Sequence, residues 1–185
     1  PGFFTGGQEK NHEERTIDNV NLKFDFNWQV NKNHSIKTGF NMTNYQIDNA
    51  WHQIRNEYFG TADEATLYAP KIFGDSTLYG DVYKVAPKEM AFYMQDKMEF
   101  DAMVINFGLR YDRFDPNTKM PSDRRNPANQ LSLPDSMMSN YPNAEPQVQI
   151  SPRFGLAYQL GNAAVLHFSY GHFFQMPSMY SLYQN

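Results

Sequence analysis

The chain has no cysteine, no long apolar run and little charge, and each absence narrows what it can be. Without cysteine in its 185 residues it has neither disulfides nor thiolate metal sites. No stretch of about eighteen apolar residues occurs, which excludes membrane-spanning helices. The formal net charge is only −4, whereas a nucleic-acid surface normally shows clustered lysine and arginine. No nucleic-acid partner is therefore expected.

The chain is instead rich in aromatic side chains. Aromatic residues make up 16% and charged residues 19%, whereas a soluble domain has about a quarter charged residues. The mean hydropathy of −0.68 is nonetheless polar. A transmembrane β-barrel reconciles these values, because half of each strand faces lipid and half faces a wet or protein-filled lumen.

Three hairpins are predicted, each made of two strands of alternating polarity that meet at a tight turn. Short turns at one end and long loops at the other are typical of a transmembrane β-barrel, in which each end faces a different compartment. The prediction is an all-β, antiparallel barrel segment of about six strands. Its hairpins span about 16–47, 88–113 and 150–175, with strands at 21–30, 35–42, 90–100, 103–111, 151–160 and 164–170, and its long loops span 48–87 and 114–149.

Residue parity assigns each side chain to one face of its strand. In the first strand Leu22, Phe24, Phe26, Trp28 and Val30 alternate without exception with polar residues. Each strand is about nine to eleven residues long, enough to cross a bilayer at a tilt. Asp96 breaks the pattern, and we expect either a bulge or a position near the lipid headgroups. A soluble β-sandwich also alternates, but it would have to bury these outward aromatic rings in a protein core.

The loop at 48–87 contains too many aromatic rings for a disordered linker, so we expect it to be folded. Its rings form either a ligand-gathering surface or the small core of the loop itself. The candidates for ligand contact are Trp51, Tyr58, Phe59, Tyr68 and Tyr79. The loop at 114–149 contains six prolines and predicts an extended excursion.

No reaction centre is recognisable in the sequence. His12-Glu13-Glu14 lacks the second histidine of a zinc helix, and neither Gly-x-Ser-x-Gly nor a phosphate loop occurs. His167 and Ser169 share a face, but residues two apart on a strand are about 6–7 Å apart, too far for a nucleophile–base hydrogen bond. We therefore expect no enzymatic activity and no catalytic, metal or cofactor site.

Two stretches carry a family resemblance. Residues 93–98 (YMQDKM) with 106–112 (NFGLRYD), and 151–158 (SPRFGLAY) with 168–177 (FSYGHFFQMP), resemble segments of TonB-dependent outer-membrane receptors. The sequence of 167–175 and 183–185 looks most like that of the Oar-like branch, whose members carry an N-terminal carboxypeptidase-regulatory-like domain and are common in Bacteroidota and relatives. The motifs lie within 88–185, and the first hairpin fits the architecture without a signature of its own.

The resemblance implies a 22-stranded barrel in the outer membrane of a Gram-negative bacterium, closed by an N-terminal plug domain. Such a receptor imports a scarce ligand with energy from the inner-membrane TonB complex, and Oar-like members are also linked to protein export. Neither a plug, a TonB box nor a signal peptide is visible in 1–185. We therefore expect a partial barrel domain whose partners are lipid, its own plug and remaining strands, TonB through an N-terminal part, and an unknown ligand.

In that arrangement the tight turns face the periplasm, the long loops face outside, and the polar faces line the lumen. Some luminal side chains would contact the plug or ligand; alternatively they form a barrel-wall network of charge pairs and hydrogen bonds. A structural or adhesive outer-membrane barrel without energised transport, and a soluble β-sandwich binding module, remain alternatives. The lumen-facing candidates are Lys23, Asp25, Lys37, Gln95, Lys97, Glu99, Asn106, Arg110, Asp112, Arg153 and His167.

Overall fold

The computed structural model describes residues 10–74, 77, 79–126, 129, 134 and 136–183. Residues 184–185, which end the segment compared with the Oar-like branch, and 127–128, 130–133 and 135 of the proline-rich loop lie outside the described residues. No helix among the described residues is long and apolar enough to cross a membrane. The elements are β1 (Asn11–Gln29), β2 (His34–Asn56), β3 (Pro70–Ile72), β4 (Gly80–Val85), β5 (Lys88–Phe100), β6 (Met103–Asp115), β7 (Gln147–Leu160), β8 (Ala164–Gly171) and α1 (Met179–Tyr183).

All strands join in one antiparallel meander, which confirms the predicted fold class. The six long strands are ordered β1-β2-β5-β6-β7-β8, and the short strands β3 and β4 pair with the loop-end part of β2. The three hairpins are β1–β2, β5–β6 and β7–β8. Neighbours in this order also follow one another along the chain among the six long strands, so the described sheet has no crossover connection. Because successive antiparallel strands alternate in direction, the three tight turns lie at the same end of the sheet.

The strand register separates an apolar face from a polar face over the central part of the sheet. Phe24 lies opposite Phe40, which lies opposite Phe92, so apolar side chains align from strand to strand. This face is uncovered in the described structure: Phe24 is 60% exposed, and Phe107 and Phe168 are each 55% exposed. A β-sandwich would bury these rings under a second sheet, so the soluble β-sandwich prediction is wrong.

The first two strands extend well beyond the predicted hairpin. β1 begins at Asn11 and β2 continues to Asn56, so residues 48–56 belong to a strand although the sequence predicted a loop. The outward side chains of the extension include Glu14 and Asp18, opposite Ala50 and Gln46. Strands of 19 and 23 residues exceed the nine to eleven needed to cross a bilayer. Beyond the hydrocarbon the outward face need not be apolar, which is why the sequence pattern did not reveal the extension.

The tight-turn end is fixed by local hydrogen bonds. The Asn31 side-chain oxygen accepts bonds from the backbone N–H groups of Asn33 (2.8 Å) and His34 (3.0 Å), an Asx turn that asparagine is suited to form. Asp96 needs no bulge, since the pairing of β5 is continuous through it on both sides. Its carboxylate instead lies 2.7 Å from His34 Nδ1 near the turns, which accounts for an acid on the apolar face.

The small buried core lies at the opposite, loop end and on the polar face. Ile47 and Phe114 are each 2% exposed and Ser151 is 1% exposed. The chain after β8 folds back toward this region, because the Tyr183 hydroxyl donates a 2.7 Å bond to the Pro116 carbonyl. Burial, reinforced by the nearby carboxylate of Asp115, raises the pKa of Tyr183 above its ordinary value. Segment 172–183 thus lies across the loop end of the sheet.

Candidate functional site on the polar face

The polar residues of the six long strands form continuous rows across the sheet. In each row, hydrogen-bonded pairing places side chains of the same face directly opposite one another. Successive rows are two residues apart along every strand, so charges in adjacent rows are also neighbours. Three rows matter here: Lys23–Asn41–Ala91–Asp112–Gln149, Asp25–Gly39–Tyr93–Arg110–Ser151, and Asn27–Lys37–Gln95–Gly108–Arg153–Gly171.

Most charges on this face are neutralised by a partner on the same strand. Arg110 is bidentate to Asp112, with Nε 2.9 Å from both carboxylate oxygens and a terminal nitrogen 2.8 Å from one of them. This geometry is the strongest form of ion pair, and the Asp112 side chain is only 11% exposed. The other pairs are Lys23–Asp25 at 3.0 Å and the close contact Lys97–Glu99.

A tyrosine connects three strands above a glycine. The Tyr93 hydroxyl donates a 2.5 Å hydrogen bond to Asp25, passing over Gly39, which lies between them in the row. A Cβ at Gly39 would approach Tyr93 Cε1 to 2.4 Å and Asp25 Oδ1 to 2.7 Å. Only glycine therefore leaves room for the ring to lie flat on β2. The sequence placed Asp25 on this face but did not identify the role of Gly39 or Tyr93.

A cleft opens where this face has glycines. One cavity of about 670 Å³ is lined by Gln95, Asn106, Arg153 and Phe173 above a floor that includes Gly155. A second cavity of about 210 Å³ continues from it and is lined by Lys37, Tyr93, Gln95, Gly108, Arg110 and Arg153. The Arg153 guanidinium carbon lies 5.3 Å from the centre of the Phe173 ring. Phe173 was not among the predicted residues because it follows the last strand; it lies two residues after Gly171, which pairs with Arg153, and the His172 N–H still donates a hydrogen bond to the Pro152 carbonyl.

The structure divides the lumen-facing candidates into groups. All lie on the polar face, but only some lie at the cleft. The pair Lys97–Glu99 and His167 lie nearer the tight turns, and Lys23 and Asp25 lie beside Tyr93. The candidates that line one or both cavities are Lys37, Gln95, Asn106, Arg110 and Arg153.

The aromatic candidates of the loop are only partly brought together. Phe59 and Tyr79 pack edge to face with centroids 6.3 Å apart, and the Arg55 guanidinium carbon lies 3.8 Å and 4.5 Å from their ring centres. This cluster resembles a small loop core held by a cation. Tyr68 lies apart at 60% exposure, and Tyr58 is half-buried in the turn after β2. Trp51 is on β2, opposite Glu13 and Asp81.

The comparison with protein families decides the identity of this sheet. The family described as TonB dependent receptor-like, beta-barrel matches residues 1–185, the whole chain. The chain belongs to this family. Comparison with curated proteins and with solved structures gave no match. TonB-dependent receptors are outer-membrane transporters and receptors of Gram-negative bacteria and are not an enzyme family.

Membership of this family indicates which environment each face of the sheet meets. In a TonB-dependent receptor barrel the uncovered apolar face is suited to lipid and the polar face to the lumen. The family generally works with a plug domain, TonB and a ligand. The cleft around Arg153 is consequently a candidate site for whatever occupies or crosses the lumen.

Proposed function

We propose that this chain forms part of the wall of an outer-membrane transporter that takes up a ligand with energy from TonB. The observation that carries the proposal is the separation of an apolar face from a polar face along the central parts of six strands, combined with a family match over the whole chain. An apolar face opposite a face of paired charges and glycine-lined space is what a polar conduit through lipid requires.

The proposal includes the orientation and the extent of the barrel. The tight turns face the periplasm, and the extended β1–β2 hairpin with its loop projects outside. The six long strands are a part of a larger barrel, which for this family is 22-stranded, and a plug occupies the lumen. The sequence at 167–175 supports membership of the Oar-like branch, whose members have also been linked to protein export.

Transport is tested by comparing three strains: the wild type, one without this receptor and one without TonB. The culture medium of each is compared by mass spectrometry over the growth curve. Uptake predicts a compound that the wild type depletes and that both mutants leave in the medium. Export predicts a compound or protein that accumulates only in the wild type.

The same experiment addresses the structural or adhesive alternative. If the receptor mutant matches the wild type in every depleted and accumulated compound but loses surface attachment or envelope integrity, energised transport is refuted. A strain with an inert point variant in the exposed 161–163 turn between β7 and β8, far from the long loops, controls for effects of protein level.

A further inference from the structure

In the part of the chain that the structure describes, two cations of the three rows, Lys37 and Arg153, differ from Lys23 and Arg110 in having no carboxylate partner. Among the described residues, no carboxylate oxygen lies within 4.0 Å of the Lys37 amine or the Arg153 guanidinium. Lys37 is electrostatically attracted by Asp25, but that carboxylate is already bonded to other groups. The other lysine and arginine of the three rows are matched, in the pairs Lys23–Asp25 and Arg110–Asp112, and Lys97 in the neighbouring row is matched by Glu99.

The two unmatched cations lie in one row and line one cavity. Lys37 and Arg153 are separated in the row by Gln95 and Gly108. Three strand spacings place their Cα atoms about 14 Å apart, and both side chains line the 210 Å³ cavity. Gly108 contributes no side chain between them, so the two positive charges border the same open space.

The larger cavity continues from this pair, and Arg153 is the only charged residue among the described residues that line it. A Cβ at Gly155 would have its nearest heavy atom at 3.7 Å, in Asn106, so this floor is open as well as smooth. The Phe173 ring, which is 79% exposed, makes a cation–π contact with the Arg153 guanidinium at 5.3 Å. Stacking uses the face of a guanidinium and leaves its N–H donors, which lie in its plane, free for an anion.

We infer that this cleft is a carboxylate-binding site. Arg153 and Lys37 bind the carboxylate oxygens through charge-assisted hydrogen bonds, and the glycine floor admits the chain that carries the carboxylate. The cavity of about 210 Å³ is smaller than a pocket for a whole drug-sized ligand, roughly 300–1,000 Å³. It therefore takes the anionic group, while the 670 Å³ cavity takes the body of the molecule. The inference rests on the proposed function only for the luminal orientation of this face.

Two sources can supply the carboxylate: a free ligand, or an acidic side chain of the receptor's own luminal segment. The test uses the full-length receptor in detergent, with succinate as the probe and uncharged succinamide as its control. An amine-acylating reagent modifies accessible lysines, and peptide mass spectrometry measures the rate at Lys37. Lys32, in the exposed turn after β1, is the internal reference.

A free-ligand site predicts that succinate, and not succinamide, slows acylation of Lys37. The Arg153→Gln variant should raise the succinate concentration needed by at least about tenfold, as expected for the loss of a charge-assisted bond. The Lys97→Gln variant removes the same charge from the same face outside the cleft and should leave the succinate effect unchanged.

Occupation by the receptor's own carboxylate predicts a different pattern at the same site. Lys37 is then acylated slowly without succinate, and Arg153→Gln accelerates its acylation by about tenfold or more, whereas Lys97→Gln does not. Equal protection by succinate and succinamide, acylation as fast as at Lys32 under all conditions, or slow acylation insensitive to Arg153→Gln would each overturn the inference. These readouts need no transport, so a receptor that binds succinate but depletes nothing refutes transport alone.

Discussion

Replacing Gly39 by alanine should destabilise the barrel wall through a clash with one ring. The added methyl group would approach Tyr93 Cε1 to 2.4 Å and Cζ to 2.7 Å, distances that a Cβ essentially never adopts. Overpacking of this kind costs about 1–3 kcal/mol. Alanine in a strand otherwise gains about 0.5–1 kcal/mol over glycine, so the net loss of unfolding free energy is at most about 2.5 kcal/mol and about 1 kcal/mol at mid-range.

The matched control is Gly155→Ala on β7, where the new methyl group meets nothing closer than 3.7 Å. Since both variants share the propensity gain, the difference between them isolates the clash at about 1–3 kcal/mol. The assay is urea unfolding of the full-length receptor in lipid vesicles, followed by the heat-modifiable mobility of the folded barrel. Gly39→Ala should unfold at lower urea than the wild type, and Gly155→Ala at equal or higher urea.

A double-mutant cycle tests the physical cause. Tyr93→Ala removes the ring, and the exposed Asp25 carboxylate can then rotate away. In that background Gly39→Ala should no longer destabilise, giving a coupling energy close to the clash itself. If Gly39→Ala costs the same with and without the Tyr93 ring, steric exclusion by the ring is the wrong explanation.

Three further changes test other parts of the structure. Phe107→Arg should cost about 2–4 kcal/mol if the residue is at the bilayer midplane, whereas Asn106→Arg on the opposite face should be nearly neutral, and urea midpoints distinguish the two. Tyr183→Phe should remove one phenol transition above the ordinary tyrosine range from a spectrophotometric titration, because burial raises the pKa of Tyr183. Because the folded state holds the Tyr183 proton more tightly than the unfolded state, its docking should weaken as pH rises above its unfolded value of 10.0; an unchanged titration would contradict the burial. Asn49→Ala removes a buried amide that joins β1, β2 and β4 and should accelerate amide hydrogen exchange in 11–18 and 80–85 but not in β7.

The central strands could be predicted from the sequence because each one meets two different environments. Apolar residues such as Phe24 alternate with polar residues such as Asp25 wherever one face of a strand meets lipid and the other does not. This period of two is a local property of the sequence. The same reasoning placed Asp96 on the apolar face, although the identity of its partner His34 became clear only from the register of β2 against β5.

The outer parts of β1 and β2 could not be predicted on the same basis. Past Ile47 both faces carry polar groups, so the signal that marks the crossing segments disappears although backbone pairing continues. Trp51 was consequently assigned to a loop, whereas it lies in a strand between β1 and β4. Periodicity reports the environment of a strand rather than its hydrogen bonds.

The cleft was only half predictable. Parity placed Arg153 and Arg110 on the polar face, but it could not show which cations have carboxylate partners, since this depends on side-chain geometry. Phe173 contacts Arg153 because it lies two residues after Gly171, the partner of Arg153 in the β7–β8 pairing, and the sequence alone did not show that register. The close fit of Tyr93 on Gly39 joins residues far apart in sequence and likewise required the strand register.

The most direct test of the account is the environment of two adjacent residues on β6. Residues 1–185 contain no cysteine, so a single cysteine at Phe107 or Asn106, in a full-length receptor with any cysteine elsewhere replaced, can carry a spin label. Accessibility to oxygen, which partitions into lipid, is compared with accessibility to a water-soluble nickel chelate. An outer-membrane barrel predicts high oxygen and low chelate accessibility at Phe107, and no lipid signature at Asn106. A label at Phe107 that neither quencher reaches, as in a protein core, or a lipid signature at Asn106 would contradict the assignment of the two faces.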